Sequence, residues 1–214
     1  MTDPLSLILV LAMAAVLPFL AVVATSFTKI AVVFLLIRNA LGVQQIPPNI
    51  ALNALALILS GYIMTPAIVE TYDLLSAGKY DYTTADGLKQ AYQVGTGPLS
   101  RFLNAHAAER EKAFFLESAR SLWPKKLSES VSSETITIVL PAFTVTQLRE
   151  AFEIGFLLYL PFIAIDLIVS NILLAMGMMM VSPLTISLPF KLFLFVMVDG
   201  WSRLILGLVK TYMQ

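Results

Sequence analysis

The sequence predicts an all-α, integral membrane-type protein: apolar helical hairpins flanking a mixed, largely helical middle segment. Three observations carry that expectation. The 214-residue chain is 58% hydrophobic and 13% charged, with a mean hydropathy of +0.82, whereas a soluble domain is about 45–50% apolar and about 25% charged. Charge is segregated, residues 70–153 holding nine of the 14 basic and 11 of the 14 acidic residues. The apolar blocks on either side resolve into stretches of about 20 residues, the length that crosses a bilayer core as a helix. A formal net charge of zero leaves no electrostatic footprint for nucleic acid. The absence of cysteine excludes disulfides, thiolate metal sites and cysteine nucleophiles. A single histidine, His106, excludes a multi-histidine metal site.

The first block, residues 1–69, reads as a hairpin of helices over about 4–37 and 50–69. Leu5 to Ala24 is uncharged, and Ile30 to Ile37 prolongs the run beyond Lys29. A helix from Leu5 to Ile37 is about 50 Å long, so it must tilt, kink near Pro18 or project from the membrane. Asp3 and the lack of a basic leader mark Leu5–Ala24 as a retained helix rather than a cleaved signal peptide. Gly42 and Pro47-Pro48 end the helix before Ile50–Val69 resumes it.

The middle segment, 70–149, is polar. Gly78 to Gly97, rich in Tyr, Thr, Asp and Gly, reads as loop. Arg101 to Trp123 carries Phe102, Leu103, Phe114, Phe115 and Leu122 among charges, the pattern of an amphipathic helix that Pro124 stops. Ser128–Ser133 reads as linker and Ile136–Leu140 as a short strand or buried coil. Helix resumes over Thr146–Phe156, capped by Thr144 or Thr146 with Glu150 in the first turns.

The last block, 150–214, is a second hairpin: Ile154–Val181, interrupted by Pro161, then Leu184–Val209. Between them lies a methionine-rich turn over 176–183. Arg38 sits in a short loop between apolar helices, a position that favours the cytoplasm. Residues 70–149 are then expected in the periplasm.

Catalysis has little support. There is no HExxH, GxSxG or phosphate-binding glycine loop. Asp166 and Asp199 could be imagined as an intramembrane aspartyl pair, but the glycine flanks of that motif are absent around Asp166. No enzyme activity, cofactor or metal is expected. Lys29, Asp166, Lys191, Asp199 and Arg203 are ions within apolar stretches, which need partners or a wet path. Snorkelling at helix ends suits Lys191 and Arg203, but aspartate is too short for it, so Asp166 is expected to pair with a basic residue on a neighbouring helix or subunit. Four of nine methionines fall within Met176-Gly177-Met178-Met179-Met180. Either they pack a helix end, or they form an adaptable seal.

Several strings, in order, resemble the SctR/FliP family, the core inner-membrane export-apparatus proteins of type III secretion. They are Thr25-Ser26-Phe27-Thr28-Lys29-Ile30; Arg38-Asn39-Ala40-Leu41-Gly42 with Gln44-Gln45 and Pro47-Pro48-Asn49; Phe152-Glu153-Ile154-Gly155-Phe156-Leu157-Leu158; Pro161-Phe162 with Asp166; the methionine run; Pro183 and Thr185-Ile186-Ser187-Leu188-Pro189-Phe190-Lys191; and Val198-Asp199-Gly200-Trp201. The resemblance covers roughly residues 22–74 and 138–212. It implies a pentamer arranged as a ring or short helical spiral. Its partners would be SctS/FliQ-type and SctT/FliR-type export proteins, with SctU/FlhB-type and SctV/FlhA-type proteins nearby. It implies a pore for unfolded secreted proteins in the bacterial inner membrane, raised toward the periplasm, with Met178, Met179 and Met180 as its gasket; Gly177 before the run and Pro183 after it are expected as the hinges that hold the hairpin. The charge rule, not the resemblance, puts Arg38, Gln44, Gln45, Pro47 and Pro48 in a cytoplasmic-side loop. The lack of a cleaved leader favours an injectisome, virulence-type member over a flagellar one. The competing class is a small multi-span transporter or intramembrane enzyme acting as a compact unit.

Overall fold

The computed structural model describes residues 15, 18–78, 80 and 85–213. Its secondary structure, among the described residues, is helical throughout: α1 (Phe27–Leu41), α2 (Asn49–Ala77), α3 (Ala85–Gly95), α4 (Gly97–His106), α5 (Glu109–Leu122), α6 (Lys125–Ser128), α7 (Ile136–Ala175), α8 (Pro183–Met197) and α9 (Gly200–Lys210). The chain divides into two compact units, one of residues up to Thr28 with Ser60–Leu148, the other of Lys29–Leu59 with the residues from Arg149 onward. Helices α1, α2 and α7 each contribute to both.

In the first unit, the helix expected over 4–37 is broken. Ala24 and Thr25 are bends and Ser26 a turn, and α1 starts only at Phe27; the stretch from Leu5 to Ala14 lies outside the described residues. Hydroxyls take up the polar groups of the break. Ser26 Oγ donates to Ser60 Oγ (3.2 Å) and Ser60 Oγ to Thr25 Oγ1 (3.0 Å). Thr28 Oγ1 donates to the Val22 carbonyl (2.7 Å) and the Phe27 amide to Thr25 Oγ1 (3.3 Å). The expected amphipathic helix over 101–123 is also two helices. Ala107 is extended between α4 and α5, and side chains of α7 satisfy the break. The Ala108 amide donates to Thr146 Oγ1 (3.0 Å) and Gln147 Nε2 donates to the His106 carbonyl (3.1 Å). The expected loop 78–97 contains α3, whose end packs on α2: Thr71 Oγ1 donates to the Gly95 carbonyl, and a Cβ at Gly95 would touch Leu75 at 3.5 Å. Ile136–Leu140 is helix, not strand. Val139, Ala142 and Phe143 bury one face of α7 against Leu103 and Ala107, with Phe102 and Phe115 packed around them. Burial on a helical period overrides the β preference of the branched run.

In the second unit, α1 buries Ile30, Val33, Phe34, Ile37 and Leu41. Phe34 meets Trp201 edge-on at 5.9 Å, and Trp201 meets Phe195 at 5.5 Å. α7 runs through Pro161 without ending. At 40 residues it is about 60 Å long, twice a bilayer core of about 30 Å. The expected Leu184–Val209 helix is bent by 60° between α8 and α9, where Asp199 takes a left-handed conformation at φ 51°. Gly200 follows because a Cβ there would fall 2.3 Å from the Phe195 ring. Among the described residues, two helices, α2 and α7, are long and apolar enough to cross a membrane, and α8 with α9 makes a third if the bent pair counts as one.

Candidate functional site

The methionine run is a turn joining two apolar helices of the second unit. α7 ends in a Schellman motif. The Met178 amide donates to the Leu173 carbonyl (2.9 Å) and the Gly177 amide to that of Leu174 (3.0 Å), and Gly177 supplies the required positive φ of 71°. Pro183 occupies the first turn of α8, where its fixed φ suits helix initiation and its missing amide is not needed. The connection is pinned at both ends and its centre is bare: Met179 is 82% and Met180 101% exposed, Met178 less so. Just behind the turn, Ile168, Val169, Ile172, Leu173, Ile186 and Phe190 border a wholly apolar cleft of about 370 Å³.

The charges behave differently from one another. Lys191, 3% exposed, is not snorkelling: its Nζ donates to Asp166 Oδ2 at 2.6 Å and to the Ala40 carbonyl at 3.2 Å. Ser187 Oγ donates to the other Asp166 oxygen at 2.6 Å. One lysine thus caps the C-terminal end of α1, where the helix dipole favours a cation, and joins α7 to α8. Gly42, just past the end of α1, takes a φ of 76° that suits glycine. Lys29, 1% exposed, donates to Glu150 Oε2 at 2.7 Å and lies 4.0 Å from the centre of the Tyr212 ring. Burial, then the Glu150 carboxylate, holds the Tyr212 phenol well above its usual range, so the ring stays neutral beside the ammonium. Glu150, the partner of Lys29, is a residue that sequence reasoning read only as part of a helix start. The signal was Lys29 itself, a lone cation whose burial demands an acid. Asp199 and Arg203, expected as intersubunit or buried charges, are exposed in the single chain. Asp199 stands at the α8–α9 bend and accepts from Ser202 Oγ (2.9 Å), while Arg203 borders a cleft formed by Ile37, Leu158, Phe162, Phe195 and Leu204.

The α1–α2 loop is organised by Arg38, which donates to the Pro47 carbonyl and to Asn49 Oδ1. The Ile46–Pro47 bond is cis and Gln45 has a φ of 62°. Gln44, Gln45 and Pro48 are exposed. Among the described residues, no three acidic or histidine side chains gather as a metal site.

The profile of the FliP family matches residues 10–208. The chain belongs to the FliP family. Among its relatives, the Yop proteins translocation protein R of Yersinia pestis is 55% identical over 210 residues, covering 98% of this chain and 97% of the relative. The hypersensitivity response secretion protein HrcR of Ralstonia nicotianae is 46% identical over 209 residues, 97% of this chain and 96% of the relative. The virulence protein YscR of Salmonella typhimurium is 46% identical over 213 residues, 98% and 97%. Each spans nearly the whole of this FliP-family chain, so the methionine turn and both ion pairs fall inside the shared region.

Proposed function

We propose that this chain is a core subunit of the type III secretion export gate, one of several copies that line a pore for unfolded proteins crossing the bacterial inner membrane. The observation that carries the reading is the methionine turn, an exposed apolar tip pinned by Gly177 and Pro183 between two apolar helices. A pore for unfolded chains must close around many side-chain shapes and still hold back ions. Methionine is unbranched, flexible and polarizable, so it adapts to each shape, and an apolar constriction gates by dewetting. The seal must also be uncharged. From Leu167 to Val198 the chain's only ionisable side chain is Lys191, and Asp166 holds it buried. The role is structural and conducting rather than catalytic.

Five copies, with SctS/FliQ-type and SctT/FliR-type proteins, complete the pore. SctU/FlhB-type and SctV/FlhA-type proteins adjoin it. Residues 1–69 and 150–214 form the two apolar hairpins and 70–149 the periplasmic part, with the Arg38 loop facing the cytoplasm. The deciding experiment replaces Met178, Met179 and Met180 with alanine in the co-expressed complex. The gasket role gives normal complex yield and a membrane leaky to small ions. Lost complex with no leak would instead mean packing, at about 2–5 kcal/mol per buried methionine, and would retire the assignment. A compact transporter is distinguished by the mass of the detergent-extracted particle, which would then be that of one chain.

A further inference from the structure

We infer that Met179 and Met180 are an oxidation site, at which oxidants of the peroxide class convert the two thioethers to sulfoxides and open the seal. The consequence rests on the pore reading above; the chemistry does not. With no cysteine in the chain, its nine methionines are the only sulfur. Of these, Met180 is fully exposed and Met179 nearly so, whereas Met64, within α2, is only 5% exposed. The two sit past the end of α7 and before α8, where no helix neighbour shields them. The Gly177 turn opens space rather than covering them, since nothing lies within 4 Å of a Cβ placed there. The backbone around them is tied, with the Met179 amide donating to the Gly177 carbonyl (3.0 Å) and the Val181 amide bridging Met180 back to the Met178 carbonyl (3.3 Å). The side chains are therefore displayed on a fixed turn.

The step is balanced. A sulfur lone pair attacks one oxygen of hydrogen peroxide; the O–O bond breaks and an S–O bond forms. The sulfur is oxidised by two electrons and the peroxide is reduced to water. The product is a polar sulfoxide with a strong acceptor oxygen, in place of a flexible apolar side chain. A constriction that stays dry because its lining is apolar wets when that lining gains acceptors. A thiol-dependent sulfoxide reductase reverses the change, two thiols becoming a disulfide and the sulfoxide oxygen leaving as water.

The test uses the purified complex in proteoliposomes, hydrogen peroxide as the probe, peptide mass spectrometry for the sites and ion flux for the seal. The expected result is a one-oxygen gain at Met179 and Met180 about tenfold faster than at Met64, with flux rising over each sample's own unoxidised baseline. Methionine sulfoxide reductase with dithiothreitol should reverse both. In M179L/M180L the rise on oxidation should vanish. In M197L/M213L, which removes two other exposed methionines, it should persist. Oxidation no faster than at Met64 overturns the inference, as does oxidation without a rise in flux or a rise that survives in M179L/M180L. Failure of the pore reading appears separately, in the unoxidised triple-alanine variant.

Discussion

Asp166 and Lys191 offer an asymmetric perturbation whose size follows from burial. Asp166→Leu leaves the Lys191 ammonium 3% exposed, with the Ala40 carbonyl as its remaining hydrogen-bond partner. Orphaning a buried ion costs about 3–5 kcal/mol. Lys191→Met orphans the carboxylate instead. Asp166 is 33% exposed and keeps Ser187 as a donor, so water and a hydroxyl carry part of the lost interaction and about 1–3 kcal/mol is expected. The double variant D166L/K191M removes both ions. Well-packed apolar replacements of buried pairs are neutral or stabilising, so it should return to within about 1 kcal/mol of the wild type.

The assay is a double-mutant cycle on unfolding in mixed micelles, followed by far-ultraviolet circular dichroism, with complex yield measured by native mass spectrometry on the same four proteins. Asp166→Leu is expected to insert into the membrane normally and to assemble poorly. Equal losses for the two single variants, or a double variant whose loss is their sum, would refute the claim that these two groups hold each other.

Three further outcomes are expected. Gly155→Ala should lower the unfolding temperature, because the new Cβ falls 2.2 Å from Leu36 Cδ1 and 3.2 Å from Leu36 Cβ. The loss is about 1–3 kcal/mol, and adding Leu36→Ala should recover part of it; an unchanged melting curve counts against the close approach of Leu36 to Gly155. Thr146→Val keeps the shape but leaves the Ala108 amide without its acceptor, so about 1–3 kcal/mol should be lost in the same assay, and a neutral result would mean that the α4–α5 break is held by something else. A cysteine in place of Ser130, the chain having no other, should react with an impermeant maleimide in cells whose inner membrane is intact. Labelling only after that membrane is breached would reverse the proposed topology.

The helical class was legible because hydrophobic period and span length are local properties. The Met178–Met180 turn was legible because Gly177 and Pro183 carry conformational rules of their own. What stayed hidden depended on residues far away in the chain. Ala107-Ala108 has every local reason to continue a helix; it breaks because Thr146 and Gln147 of α7 supply partners for the freed backbone groups. Ile136–Leu140 reads as strand until Leu103 and Phe143 make it one face of a core. Glu150 looked like a helix-start acid, and nothing near it in sequence announces Lys29, 121 positions away. The bend at Asp199 hides for a different reason: a left-handed aspartate gives no periodic signal, and Gly200 is explained only once Phe195 is seen against it.

A buried ion pair is weak grounds for stability, so the Asp166–Lys191 contact needs another explanation. Its position supplies one. Asp166 precedes Gly177 by 11 residues, about 16 Å along a helix, and Lys191 lies at a similar distance down the other arm from Met180. Apolar surfaces slide past one another with little change in energy, since one leucine contact resembles the next. A 2.6 Å ion pair with a shared serine and a backbone carbonyl has one register. The clamp therefore fixes how far each arm reaches, and with it the height at which the methionine turn stands. The same contact hides Lys191, the one cation between Leu167 and Val198, from the tip. On this argument D166L/K191M separates two properties that wild type keeps together: it recovers stability and loses register. Its complex should form in normal amount yet leak ions, and a tight seal in that variant would show that the turn alone, without the clamp beneath it, sets its own height.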